Sequence, residues 1–396
     1  MKTRRGVAKP FLALLLAMPV WCGAEAPSID PADDSSHFGP PERLLFWNSA
    51  QKVAGFRNMT RILPTRRIAA AAKPRPFPVA EVDLDELEFD AGGGVLTTRE
   101  YMKRKNVAGL LVLKDGTIRY ERYALGNAKD TPWVSFSVAK SVVSMLIGAA
   151  IQDGYIESVD ERVTDYLPRL KGSSYEQSTI RNLLQMASGV EWNEDYDDPT
   201  SDVSTANWET LALYEFLGSK LNAAPPGQRF NYNTAETNLA GTLLRSAIGN
   251  NLATYLSERI WIPMGMEFDA SWNLTEPGGG EFGGCCINAT LRDYARLGVF
   301  AMNDGRLPDG TRVLPEGWMQ ESTSPSKAFP GYGYFWWLER EGVFRASGIF
   351  GQAIYIDTQR KVVIAQHSAR DAAFTTEDMI LQLSLFRALS RAVATN

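Results

Sequence analysis

Residues 107–123 read Val-Ala-Gly-Leu-Leu-Val-Leu-Lys-Asp-Gly-Thr-Ile-Arg-Tyr-Glu-Arg-Tyr, and their pattern sets the fold class. Val107 to Leu113 is a short apolar run. Asp115-Gly116 is a strong two-residue turn signal, and Thr117 to Tyr123 alternates, with Ile118, Tyr120 and Arg122 among its members. This predicts an antiparallel hairpin. Strand-like runs recur far along the chain: Gly333 to Leu338, Val343 to Ala346, Gln352 to Ile356 and Lys361 to Gln366. Between the two sets most segments read helical: Val138 to Asp153, Thr179 to Met186, Trp208 to Leu217, Thr237 to Ala247, Ala253 to Ile260 and Leu291 to Asn303. Strands at both ends of a helical middle predict one antiparallel sheet closed by both termini, an α/β (α+β) architecture. The helical insert, roughly 155–300, forms a second lobe, and the cleft between lobes is the natural place for a site.

The 396 residues suffice for two or three domains, or for one large two-part unit. Hydrophobic residues are 44% and charged residues 22%, so a sizeable core is possible and wholesale disorder is excluded. Lys plus Arg number 41 against 46 Asp plus Glu. That balance offers no cationic surplus for a phosphate backbone, so no nucleic-acid partner is expected. His37 and His367 are the only histidines. No metal-ligand cluster stands out, and no cofactor is called for. The carboxylates Glu194, Asp195, Asp197 and Asp198 read as a solvated loop.

Lys2, Arg4, Arg5 and Lys9 precede the apolar stretch Phe11 to Trp21, and small residues follow. This is the order of a secretory signal, and cleavage after Ala24 fits best. A short membrane anchor is the alternative. Cys22 raises a lipoprotein variant, against which Trp21 is a poor neighbour. Removing those four cations leaves 37 basic against 46 acidic residues, a net charge of −9. No other run approaches transmembrane length. The expected mature protein is periplasmic or secreted, with no membrane span. Residues 1–24 are read as the signal, 25–95 as a leader and strap, and 96–396 as the main domain. Residues 25 to about 45, rich in Pro, Asp and Ser, read as a mobile leader, Leu45 to Met59 as a docking helix, and Pro64 to Pro78 as an extended strap. The adjacent Cys285-Cys286 read as two small buried side chains, since a vicinal disulfide is rare; a redox pair is the alternative.

Ser135-Phe136-Ser137-Val138-Ala139-Lys140-Ser141 is the sharpest local signal. If Ser137 opens a helix, Ser137 and Lys140 share one face a turn apart. The helix that follows is apolar almost all round, hence buried. Burial lowers a lysine's pKa, which suits Lys140 to act as a base toward a hydroxyl. The helix N-terminus adds N–H groups useful to an oxyanion. Ser-x-x-Lys recurs at Ser49-Ala50-Gln51-Lys52, on an amphipathic helix, and at Ser324-Pro325-Ser326-Lys327, in a Pro-containing loop. A second element is Tyr232-Asn233-Thr234, just before a helix. A third is Ala346-Ser347-Gly348-Ile349, entering a strand.

In this order the three elements resemble the serine β-lactamase and penicillin-binding-protein superfamily: Ser-x-x-Lys at a helix start, Tyr-x-Asn on a loop, and a Lys-Thr-Gly-type triplet on an edge strand. The nearest branch is that of the 6-aminohexanoate-dimer hydrolase-like serine hydrolases. Leu183 to Gly189, Ile260 to Gly265, Tyr334 to Trp337 and Gly348 to Asp357 are among the supporting stretches, and the likeness runs from about Phe46 to Ala369. It implies a β-lactamase-like fold, a central antiparallel sheet flanked by helices with an inserted all-helical lobe. It implies Ser137 as an acyl-forming nucleophile, Lys140 as its activating amine and Tyr232 as a proton relay. The oxyanion hole would be the N–H groups of Ser137 and Ile349, and Tyr196 and Gly348 would meet the substrate.

Two departures shape the expected chemistry. Thr234 stands where the pattern has Asn, and Ala346 stands where it has a cation. Arg345 is one place early and points to the other strand face. A missing carboxylate-binding cation argues against β-lactams and D-Ala-D-Ala peptides. It fits a small-molecule amide or ester without a carboxylate there. Histidine scarcity and the absence of Gly-x-Ser-x-Gly argue the same way, for a serine hydrolase with a lysine base. A catalytically idle peptidoglycan- or amide-binding module and a β-lactamase or D,D-peptidase are the competing readings. Trp272, Trp336 and Trp337 are expected in packing roles, and oligomeric state is left open.

Overall fold

The computed structural model describes residues 26–395. The expected signal, residues 1–24 with Cys22, lies outside the described residues. In chain order the strands are β1 (Thr65–Ile68), β2 (Glu88–Asp90), β3 (Val95–Thr97), β4 (Val107–Lys114), β5 (Thr117–Tyr123), β6 (Trp133–Val134), β7 (Ala270–Asn273), β8 (Ile287–Ala289), β9 (Trp337–Arg340), β10 (Val343–Ser347), β11 (Ala353–Asp357) and β12 (Val362–Ser368). Strands β5-β4-β12-β11-β10-β9 make one six-stranded antiparallel sheet, in which β4 pairs with β12 and joins the two ends of the chain. Asp115 and Gly116 both have positive φ, 50° and 73°, as the tight turn between right-twisted strands requires.

β4 is apolar without alternation because both its faces are covered. Leu110 and Val112 pack with Leu385, Phe386 and Leu389 of the terminal helix Thr376–Ala394. Leu111 and Leu113 join the opposite cluster with Leu297 and Phe300 of the helix Leu291–Met302. A strand buried on both sides has no reason to carry polar residues at every second position. Edge strand β5 has one wet face and alternates.

Three expectations need correction. Gly333 to Trp336 is a buried loop, and β9 begins only at Trp337; Phe335 sits at φ 59°, which breaks a strand. The inserted region is not wholly helical, because β7 and β8 pair with β1 and β6 in a small four-stranded sheet. The helix Leu291–Met302, inside the expected lobe span, packs on β12, β11 and β4 of the main sheet instead. Its Gly298 allows that approach: a Cβ there would meet Val363 Cγ1 at 2.5 Å and Ile354 Cγ2 at 2.7 Å.

The leader is also not a loose segment. Pro31–His37 and Pro41–Phe46 are short 3-10 helices, and Ile29 and Asp34 are buried. Arg57, at the end of the helix Ser49–Phe56, holds Asp34 with two hydrogen bonds, Nη2 to Oδ1 at 2.6 Å and Nε to Oδ2 at 2.7 Å. Its remaining N–H groups reach the carbonyls of Leu125 (2.5 Å) and Ile29 (2.9 Å). The Pro/Asp/Ser composition reads as loop only because the partner that orders it lies beyond the segment. Removing one member of such a buried pair strands the other. Asp34→Ala is therefore expected to cost about 3–5 kcal/mol, read as a lowered urea midpoint at unchanged slope.

Candidate active site

The helix Val138–Gln152 begins directly after Ser137, and every residue from Val138 to Ala150 is buried. Phe136, the residue before it, has φ 44°. A left-handed non-glycine residue costs about 1 kcal/mol or more and persists only where packing enforces it. Here its ring is held by Phe56 and Phe350, each at 5.0 Å. The sharp turn aims Ser137 at a cavity that it lines.

Lys140, one turn on, is 1% exposed. Its Nζ lies 3.0 Å from Ser137 Oγ, 3.1 Å from Thr234 Oγ1 and 2.8 Å from the Gly284 carbonyl. Burial brings its pKa down to about 8, against an opposing pull from the Glu194 charge. The proton inventory of this cluster is restrictive. Thr234 Oγ1 gives its hydrogen to Glu194 Oε1, so toward Lys140 it can only accept. The Gly284 carbonyl can only accept as well. A neutral Lys140 amine thus spends both N–H groups on Thr234 and Gly284, and its lone pair is left facing the Ser137 hydroxyl.

Tyr232 enters from the loop ahead of the helix Thr234–Ile248, whose N-cap is Asn233. Its ring centroid is 5.2 Å from Lys140 Nζ, and Ser137 is near enough to its hydroxyl to favour the phenolate slightly. Trp337 stacks on it at 5.7 Å. Burial, then the Glu194 charge, pushes the phenol pKa up, so it holds its proton at neutral pH. The structure thus brings Ser137, Lys140 and Tyr232 together.

Ile349 also lines the cavity, at the turn between β10 and β11. Its neighbours' N–H groups are spoken for: Gly348 N donates to the Gln352 carbonyl (2.8 Å), Phe350 N to Gln352 Oε1 (3.2 Å) and Gly351 N to the Gly348 carbonyl (3.1 Å). The Ile349 N–H has no such partner among the described residues. Gly348 is not in the cavity wall. A Cβ there would meet the Ser135 carbonyl and Gln352 Oε1, both at 2.6 Å, so glycine is what lets this turn lie against the Ser137 segment.

The cavity is about 510 Å³ and largely apolar, walled by Tyr196, Trp208, Phe282, Thr234 and the leader residues Leu44 to Phe46, with Glu42 the one charged residue in its lining among the described residues. Arg345 does not reach it; the guanidinium bonds Glu339 Oε1 (2.9 Å) and Ser347 Oγ (2.6 Å) on its own strand face. Cys285 and Cys286 also line it, joined as a vicinal disulfide, which replaces the expectation of two separate thiols. Glu194 is likewise no solvated bystander. It takes the Thr234 N–H at 2.9 Å, the Thr234 hydroxyl, the Tyr196 hydroxyl at 2.5 Å and the Trp192 indole N–H. The acid-rich stretch concealed it, since nothing local separates Glu194 from Asp195 or Asp197. Trp272 and Trp336 are core residues as expected. His367 is buried between Trp133 and Tyr294, and burial alone brings its pKa down to about 3.

The Beta-lactamase family model matches residues 96–383. A 6-aminohexanoate-dimer hydrolase from Paenarthrobacter ureafaciens is 28% identical over 365 residues, covering 85% of this chain and 90% of that protein. Among solved structures, a Bacillus anthracis protein named after the same hydrolase superposes with a TM-score of 0.79 at 23% identity, over 87% of this chain and 95% of its own. A penicillin-binding protein homologue from Caulobacter crescentus gives 0.57 at 17% identity, over 73% of this chain and 96% of its own.

Two residues beyond Thr234, Glu236 is buried against Ser188 and the Tyr175 hydroxyl (3.4 Å), and burial pushes its pKa up to about 8. The folded protein therefore holds a proton there that the unfolded chain releases near its ordinary value of 4.5. Stability should fall as pH climbs between those values and level off above about 8. Urea denaturation across pH is expected to show that slope flattened in Glu236→Gln.

Proposed function

The chain belongs to the Beta-lactamase family, and on that premise we propose that it is an exported amidase or esterase working through an acyl-Ser137 intermediate. It is a serine hydrolase of the β-lactamase and penicillin-binding-protein superfamily, amide-hydrolase-like in kind. In the proposed cycle neutral Lys140 takes the Ser137 proton as Oγ attacks the substrate carbonyl. The N–H groups of Ser137 and Ile349 receive the oxyanion. Tyr232 passes a proton to the departing amine or alcohol, and water then releases the acyl group by the reverse relay. Tyr196 closes over the substrate from the cavity wall.

The observation that carries this reading is the 3.0 Å approach of a dehydrated Lys140 Nζ to Ser137 Oγ, with its other two acceptors fixed. The substrate class follows from charge. No cation lines the cavity among the described residues, Ala346 fills the place of the usual cation, and Arg345 is committed to Glu339. A linear amide or ester with no carboxylate at the place of that missing cation suits such a wall, and the similarity to a 6-aminohexanoate-dimer hydrolase supports the linear amide. We further propose that residues 1–24 direct export and are cleaved near Ala24, that 25–95 form the leader and strap, and that 96–396 form the catalytic unit. Intact mass of the periplasmic protein tests the cleavage.

A fluorophosphonate should label Ser137, and Ser137→Ala should abolish both labelling and turnover of short-chain nitrophenyl esters. Unchanged turnover in that variant would reject the reading. A screen of linear amides, lactams and esters ranks the substrates, and a penicilloyl adduct by mass spectrometry would favour the β-lactam alternative. Lys140→Met should lower kcat by about 10²–10⁴-fold. Because the amine must be neutral, wild-type kcat/KM should fall as pH drops through about 8. The Glu194 charge favours the ammonium form, so Glu194→Gln should move that limb to lower pH while reducing kcat. An unmoved limb would show that Glu194 does not act on Lys140.

A further inference from the structure

The second Ser-x-x-Lys, Ser49 to Lys52, lies in the helix Ser49–Phe56, ahead of the residues that the family model matches. Its serine and lysine do not serve each other. Ser49 Oγ donates to Asp371 Oδ1 at 2.6 Å, and Lys52 Nζ donates to the carbonyls of Arg370 (3.1 Å) and Asp371. Lys52 is 2% exposed, so a long cationic side chain has been carried into the interior to make these bonds. The same ammonium stands 4.4 Å from the centroid of Phe350, and Arg370 N donates back to the Phe350 carbonyl at 3.2 Å. Phe56, one turn beyond Lys52 on the same helix face, packs on Phe350 at 5.4 Å and on Phe136 at 5.0 Å. Phe136 directly precedes Ser137, and Phe350 directly follows Ile349. One face of this helix therefore grips both residues that flank the two proposed oxyanion donors.

We propose that Lys52 is a positioning residue for the oxyanion loop, fixing the Ile349–Phe350 peptide relative to the Ser137 helix through Phe350 and the carbonyls of Arg370 and Asp371. This rests on the acyl-Ser137 reading and extends it to a segment outside the matched domain. Other ties hold the loop at its far side. Gln366 and Gln382 donate to the Gly351 carbonyl at 2.7 and 2.9 Å, and Gln352 Nε2 donates to the Ser368 carbonyl at 3.0 Å. Lys52 is the cation that acts at the Ile349 side. Its stem is apolar and its head is charged, so a neutral side chain of similar length retains the packing and loses the grip. Displacing a donor by a fraction of an ångström weakens the transition state more than the ground state.

The test compares wild type, Lys52→Met, Lys52→Arg and Ser137→Ala with a short-chain nitrophenyl ester and an alkyl boronic acid, whose tetrahedral adduct on Ser137 places an oxygen in the oxyanion position. Lys52→Met is expected to lower kcat about tenfold to a hundredfold with KM little changed. It should weaken boronate binding by a similar factor and speed amide hydrogen exchange in 347–352. Lys52→Arg should recover most of the loss. Lys52→Gln, which keeps one donor, is read in place of Lys52→Met if that variant does not fold. A folded variant with kcat, boronate affinity and exchange all as in wild type overturns the proposal, as does a loss confined to KM. Turnover that survives in Ser137→Ala instead defeats the acyl-Ser137 reading itself, and this proposal with it.

Discussion

A lysine ammonium is costly to bury, and the site is organised around one that is buried all the same. Lys140 lies at the start of a helix with no wet face, and that is what brings its pKa to about 8. The burial is tolerable because three oxygens stand within hydrogen-bond reach of Nζ. Each comes from a different part of the chain: Ser137 from the same helix, Thr234 from the start of another, and Gly284 from the loop before β8. Glu194 reinforces the arrangement without touching Lys140, by fixing which way the Thr234 hydrogen points. A threonine in place of the pattern's asparagine is then no defect. A hydroxyl whose proton is already committed is a pure acceptor toward Lys140, the same role that an asparagine carboxamide oxygen would fill.

The loop that supplies Gly284 is tied to its neighbours by hydrogen bonds and close packing. Gly283 N donates to Asn238 Oδ1 at 2.8 Å, and the Trp272 indole donates to the Cys285 carbonyl at 3.0 Å. Glycine is needed at both 283 and 284, since a Cβ at 283 would meet the Thr237 carbonyl at 2.5 Å and one at 284 would meet Thr234 Cγ2 at 2.6 Å. The vicinal disulfide continues this loop along the cavity wall. The acceptor for Lys140 and part of the cavity wall thereby belong to one stretch of chain. The leader also lines the cavity, with Leu44, Leu45 and Phe46 beside Trp47, whose indole N–H bonds the Pro40 carbonyl at 2.9 Å. A segment outside the matched domain thus helps shape the pocket.

Much of the fold was legible because its signals are local. The Asp115-Gly116 turn needs only two residues that accept positive φ, and the apolar runs of β4, β10, β11 and β12 announce buried strands by themselves. Ser137 and Lys140 were legible for the same reason: three residues of separation fix their relation once the helix is granted. Tyr232 and Ile349 were reached only through the resemblance, since a tyrosine before a helix and a residue after a glycine turn carry no chemistry alone. Glu194, the disulfide and the ordered leader were misread. In each case the deciding partner is distant or conformational: Thr234 for Glu194, Arg57 for Asp34, and the φ of 91° at Cys286 that accompanies adjacent bonded sulfurs.

By itself, then, the sequence determined the strands at both chain ends, the greasy helix and the serine–lysine spacing at its mouth, because backbone geometry and side-chain period act over a few residues. Only the tertiary structure decided which oxygens surround Lys140, which way their hydrogens face, what charge the cavity presents, and that Lys52 serves a loop rather than its own serine. Those outcomes depend on groups brought together from positions as far apart as 52 and 371, and the free energy of burying a charge is set by that company, which no local pattern encodes.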